Sequence, residues 1–109
     1  MSLNVPPPVA TYLEADKAKD VELLERCFAA DAVVHDEGGE HRGLEAIKRW
    51  KREADAAYQF TMEPLSASAQ GDVTTVRARV TGTFPGSPIE LNFNFTIADG
   101  RITHLAIRP

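Results

Sequence analysis

The chain has 109 residues, a hydrophobic fraction of 43%, a charged fraction of 26% and a formal net charge of -4. That length supports one core and not two, so one domain over residues 1–109 is expected. The acidic balance argues against a nucleic-acid surface. The lone Cys27 excludes an internal disulfide, and neither a signal-peptide layout nor a membrane-length apolar run is present. A cytoplasmic protein with neither nucleic acid nor membrane as partner is the expectation.

Pro6, Pro7 and Pro8 read as an extended lead-in, the last suited to a first helical turn. Val9 to Ala18 follows as a helix, with Val9, Tyr12, Leu13 and Asp16 towards one side. Asp20 reads as the N-cap of a second helix, in which Val21, Leu24 and Phe28 recur at helical spacing with Cys27 beside them. Cys27 reads as a small buried apolar residue, since nothing nearby favours a thiolate.

After Asp31 the pattern becomes a strand, Ala32-Val33-Val34-His35-Asp36, ending at a turn over Glu37 to Glu40 and a short return strand at His41-Arg42. Alternation puts Val34 and Asp36 on one face and Val33 and His35 on the other. If the Val34 face looks inward, a carboxylate lies at the inner end of an apolar strand, a costly place that calls for a reason. Gly43 precedes a third helix, Leu44 to Tyr58, with Ile47, Trp50, Ala54, Ala57 and Tyr58 on its apolar side. Its basic side, Lys48, Arg49, Lys51 and Arg52, is expected to be solvated and self-neutralised through Glu45–Arg49, Arg49–Glu53 and Lys51–Asp55, each four residues apart.

The second half reads as strands. Gln59 to Gln70 carries Phe60 and Met62, then Pro64, which marks a bulge or an edge. Val76, Ala78, Val80 and Gly82 alternate with Arg77, Arg79 and Thr81, and Ile89, Leu91, Phe93, Phe95 and Ile97 alternate with Glu90, Asn92, Asn94 and Thr96. A last strand runs through Ile102, Leu105 and Ile107. Helices followed by long strands define an α+β domain: a cone-shaped, curved antiparallel sheet with three helices from the N-terminal half on its concave face. The concave side would hold a cavity for a small ligand, and the polar convex side would be solvated or face a second copy.

Ala10-Thr11-Tyr12-Leu13-Glu14, Lys19-Asp20-Val21-Glu22, Phe28 through Asp36, Gly43-Leu44-Glu45-Ala46-Ile47 and Asp99-Gly100-Arg101-Ile102 together resemble the nuclear transport factor 2-like superfamily. That superfamily includes SnoaL-like polyketide cyclases and ketosteroid isomerases. The resemblance places Asp36 where the isomerases keep a general base and Tyr12 where they keep an oxyanion donor, with the family's separation of 24 residues. It also shows departures: Phe93 stands where the isomerases have a second, protonated acid donor, Lys51 where they have a second tyrosine, and the loop after Asp36 is shorter. Steroid isomerisation is therefore not expected.

Two readings of each residue stay open. Asp36 is a base in an apolar cone, or a brace for its turn. Tyr12 is a donor to a ligand carbonyl, or a core ring with its hydroxyl at the rim. The catalytic candidates are Asp36 and Tyr12, and the expected ligand-binding residues are Val34, His41, Trp50, Phe60, Met62, Val80, Phe93 and Phe95. A cofactor-independent isomerase, cyclase or dehydratase acting on a small apolar carbonyl compound is one reading; a non-catalytic ligand-binding or dimerisation module is the other. No cofactor is expected. No metal is expected either, because strand parity turns His35 away from Asp36. A homodimer through the sheet is implied by the resemblance.

Overall fold

A computed structural model describes residues 4–109. Helix α1 spans Pro7–Ala18, a 3-10 helix spans Val21–Arg26, and α2 spans Leu44–Tyr58. The strands are β1 Phe28–Asp36, β2 Gly39–Arg42, β3 Thr61–Gln70, β4 Val73–Thr81, β5 Ile89–Ala98 and β6 Arg101–Arg108. They form one sheet in the order β2-β1-β6-β5-β4-β3. After the β1–β2 hairpin and α2, the chain crosses to the far edge and returns strand by strand. β6 therefore arrives beside β1, and that pair is parallel while every other pair is antiparallel. The all-antiparallel expectation is corrected at this seam.

The helical spacing of Val21, Leu24 and Phe28 is cut short. Phe28 already belongs to β1, because the Cys27 carbonyl accepts from the Ile102 amide at 2.7 Å and draws the chain onto β6. A sheet bond thus terminates the helix where local propensity would let it run on. Asp20 caps the 3-10 helix through Oδ1, which accepts from the Glu22 amide. Pro64 lies on the edge strand β3, beside a register shift between Pro64 and Ser66.

The core lies between the concave sheet face and the helices. Val9 and Tyr12 from α1, Leu24, Ile47 from α2, and Phe28, Val34, Val76, Phe95 and Leu105 from the strands are all buried in it. Leu105 lies beside Val34 in β1 on one side and Phe95 in β5 on the other, so it bridges the parallel seam. On the convex face, Thr75 donates to Asn94 Oδ1 at 2.8 Å, Asn94 donates to the Ala106 carbonyl, and Arg77 reaches Glu90 and Asn92.

The solvated basic face expected for α2 is also corrected. Arg49 and Arg52 are exposed, but Lys48 and Lys51 are buried. Lys48 donates to Glu22 and Glu25 of the 3-10 helix, and Lys51 to Asp16 of α1 and to Asp55. Of the three helical pairs expected, only Lys51–Asp55 forms an ion pair. α2 uses its lysines to fasten itself to neighbouring elements, which helical spacing does not reveal.

Truncating Leu105 leaves a void at the seam with no mobile neighbour to fill it. Leu105→Ala is expected to cost about 2–5 kcal/mol, read as a lower urea midpoint with an unchanged slope.

Candidate active site

The β1–β2 turn sets the position of Asp36. Glu37 and Gly38 both have positive φ, 52° and 77°, and Asp36 pairs with Gly39, so the hairpin is closed by a two-residue turn of the primed type. Such a turn matches the strand twist and ends β1 at Asp36, which lines the cavity. The Trp50 indole Nε1 donates to Asp36 Oδ2 at 3.1 Å, and Trp50 comes from the inward face of α2. Burial raises the Asp36 carboxyl above its ordinary value of 3.8. The Trp50 bond opposes that shift most, followed by His41, the Glu37 amide and Lys51.

Tyr12 reaches the same space from α1. Its ring packs edge-on against Phe28 and Phe95, with centroids 6.0 and 5.2 Å away, and tilted against Phe93 at 6.4 Å. Burial holds its hydroxyl well above its ordinary value of 10.0, and the carboxylates of Asp16, Asp36 and Asp55 add to that, so the phenol stays protonated. No hydrogen bond is made by the hydroxyl to any described residue. No sealed side-chain polar atom lacks a partner among the described residues, so the hydroxyl opens onto the cavity that Tyr12 lines.

That cavity measures about 610 Å³. Tyr12, Asp36, Trp50, Phe60, Met62, Val80 and Phe93 line it, in the company of Asp16, Lys51, Tyr58, Phe84, Ile89 and Leu91. Three expected wall residues do not reach it. Val34 and Phe95 are sealed in the core, Phe95 instead supporting the Tyr12 ring. His41 stacks on Trp50 at 5.9 Å and so backs the wall. His35 points to the convex face, where its ring meets His104 at 4.7 Å. Among the described residues no three His, Cys, Asp or Glu side chains converge closely enough to hold a metal. The Cys27 thiol is pushed by burial up to about 12 and is not a nucleophile at neutral pH.

Sequence reasoning placed Asp16 on the Tyr12 side of its helix without counting it in the site, and read Lys51 as solvated. Lys51 Nζ donates to Asp16 Oδ1 at 2.6 Å and to Asp55 Oδ1 at 2.8 Å, with 6% and 8% of the Lys51 and Asp16 side chains exposed. Asp16 lies one turn beyond Tyr12 on the same inward face of α1, and a carboxylate there requires a partner. That requirement was the available signal. The aromatic group Tyr58, Phe60 and Phe84 closes another stretch of the wall, with centroids 5.3–6.0 Å apart. Gly82 permits this closure: a Cβ there would meet the Tyr58 carbonyl at 2.6 Å.

A curved sheet closed by helices over a cavity is an α+β fold of the nuclear transport factor 2-like kind. The sequence profile of the SnoaL-like domain family matches residues 9–105, and the chain belongs to that family. Among solved structures, a proposed polyketide cyclase from Sinorhizobium meliloti is 47% identical, with a TM-score of 0.93 and 95% of each chain covered. A hypothetical protein with a ketosteroid isomerase-like fold from Catenulispora acidiphila, in complex with trimethylamine, is 24% identical. Its TM-score is 0.83, over 97% of this chain and 87% of its own. An NTF2-like protein of unknown function from Cytophaga hutchinsonii shares the fold at 12% identity, with a TM-score of 0.80 over 98% and 90% of the two chains. A search of curated proteins finds no match.

A carboxyl that ionises less readily in the folded protein than in the unfolded chain costs stability above its unfolded pKa and nothing below it. Asp36→Asn, which keeps an acceptor for Trp50, is therefore expected to raise the melting temperature at pH 7. The gain should shrink as the pH is lowered through the carboxylate range.

Proposed function

We propose that the cavity takes up a small, largely apolar carbonyl compound and that the protein moves a proton on the carbon next to the carbonyl. The observation that carries this reading is that Asp36 and a partnerless Tyr12 hydroxyl line one apolar cavity. The Asp36 carboxylate removes the proton, and the C–H electron pair moves through the carbon framework onto the carbonyl oxygen. Tyr12 donates its hydrogen bond to that developing enolate. Trp50 holds the carboxylate in place without neutralising it. The enolate then has three exits: reprotonation at another carbon, attack on a second carbonyl of the same molecule, or loss of a β-hydroxyl. These correspond to isomerisation, aldol cyclisation and dehydration, none of which draws on a cofactor. Val80, Met62, Phe60 and Phe93 supply the apolar wall for the ligand body.

The proposal extends to a second copy docked on the convex face, as the superfamily resemblance implies, and to a cytoplasmic setting, which the single reduced Cys27 favours. Sedimentation at micromolar concentration should show a dimer; monomer alone would remove that part.

The chemistry is tested with 2-tetralone in D2O, following loss of the α-proton signals by NMR. The wild type is expected to accelerate exchange above buffer, with the rate rising with pH through a limb displaced above the ordinary aspartate value. Asp36→Asn should lower the rate by about 10²–10⁴-fold, and Tyr12→Phe by about 10²-fold. Full activity in Asp36→Asn would refute the assignment. Tetralone binding without exchange would instead leave a ligand-binding member of the family.

A further inference from the structure

Lys51 brings a cation to the cavity wall in a fixed state of hydrogen bonding. An ammonium group has three N–H donors in tetrahedral array. Two of them are taken, by Asp16 at 2.6 Å and Asp55 at 2.8 Å, and no third acceptor is present among the described residues. Only 6% of its side chain is exposed, and Lys51 is one of the residues that line the cavity. The two carboxylates come from different helices, so they clamp the ammonium from two sides and leave little freedom in its aim. Lys19 lies 3.7 Å from Asp55 at the surface end and completes a row of alternating charge, Asp16–Lys51–Asp55–Lys19.

We propose that Lys51 is a second donor to the ligand oxygen, its free N–H converging with the Tyr12 hydroxyl on one acceptor site. The inference rests on the carbonyl reading given above and adds to it what the oxygen end of the site recognises. Asp16 and Asp55 are positioning residues that set the direction of that N–H. They also set its selectivity. Two carboxylates offset the ammonium charge, so an anion entering the site gains little attraction and meets their repulsion. A neutral carbonyl oxygen needs only the hydrogen bond, which strengthens as negative charge develops on it. The substrate class is thus an uncharged ketone or aldehyde rather than a carboxylate or phosphate. Asp36 is the acceptor in the same wall, so this reading orients the bound molecule with its oxygen towards Tyr12 and Lys51 and its acidic carbon towards Asp36. Phe93, which can donate nothing, is an apolar part of the same wall, and Lys51 supplies from α2 the donor that β5 lacks.

The test uses 2-naphthol, which has an aromatic body with one oxygen, and naphthalene, which has the same body without it. Binding of each is followed by ligand fluorescence, with folding checked by circular dichroism. The wild type should prefer naphthol. Lys51→Met should weaken naphthol by about ten- to hundredfold, the range of one charge-assisted hydrogen bond, and leave naphthalene unchanged. Should Lys51→Met fail to fold with Asp16 left unpaired, the Asp16→Asn/Lys51→Met pair, which removes both charges together, carries the same expectation. Lys51→Arg should retain part of the naphthol preference. Naphthol affinity unchanged in the Met variants overturns the proposal, as does parallel loss of naphthol and naphthalene, which would mark Lys51 as structural only. Failure here with Asp36-dependent tetralone exchange intact removes Lys51 alone, whereas absence of that exchange removes the parent reading.

Discussion

The Asp16–Lys51 ion pair is the interaction on which the cavity depends. It joins α1 to α2 across the space that separates them, and each partner is nearly closed off from water. A buried ion pair contributes little net stability compared with apolar side chains of the same size, because desolvation takes back most of the Coulombic gain. Its value lies in geometry. Removing either partner leaves an uncompensated charge in the interior, so the two helices are held at one separation and one rotation. Both partners line the cavity, so the pair fixes a charged part of its wall.

A second polar contact works at the other end. Trp50 is one residue before Lys51 on α2, and its N–H meets Asp36 where β1 turns into β2. One helix thus brings two groups to the cavity wall: a neutral donor that meets the carboxylate, and a cation. The choice of a neutral donor for Asp36 has consequences. A cation at that distance would favour the ionised carboxyl more strongly. The indole hydrogen-bonds the carboxylate, while burial raises the carboxyl above its ordinary value.

Much of the frame was legible in residue order. The alternation from Ile89 to Ile97 marks β5 with its apolar face, and Val76–Ala78–Val80 marks β4. The α2 boundaries follow from Gly43 before it and the apolar stripe within it. Strand parity sent Asp36 inward with Val34 and His35 outward. The structure places the Asp36 carboxylate at the end of a tight turn and in the cavity wall together. The aromatic wall was only partly legible: Phe93 and Phe95 share a face by parity, yet Phe95 lies beneath Tyr12 and only Phe93 reaches the space. Depth along a curved strand is not encoded in alternation.

What the sequence determined by itself was local: the periods of helix and strand, the hairpin turn at Glu37-Gly38, and the inward direction of one carboxylate. These depend on backbone geometry and side-chain alternation over a few residues. Tertiary structure decided the rest. The parallel β1–β6 seam, the early end of the second helix and the burial of Lys51 all join positions far apart in the chain. By helical period alone, Lys51 belongs to a solvated basic stripe. It becomes a cavity residue because Asp16, 35 positions earlier, faces it at hydrogen-bond distance. A buried charge is stable only where a distant partner meets it, and no local pattern records that meeting.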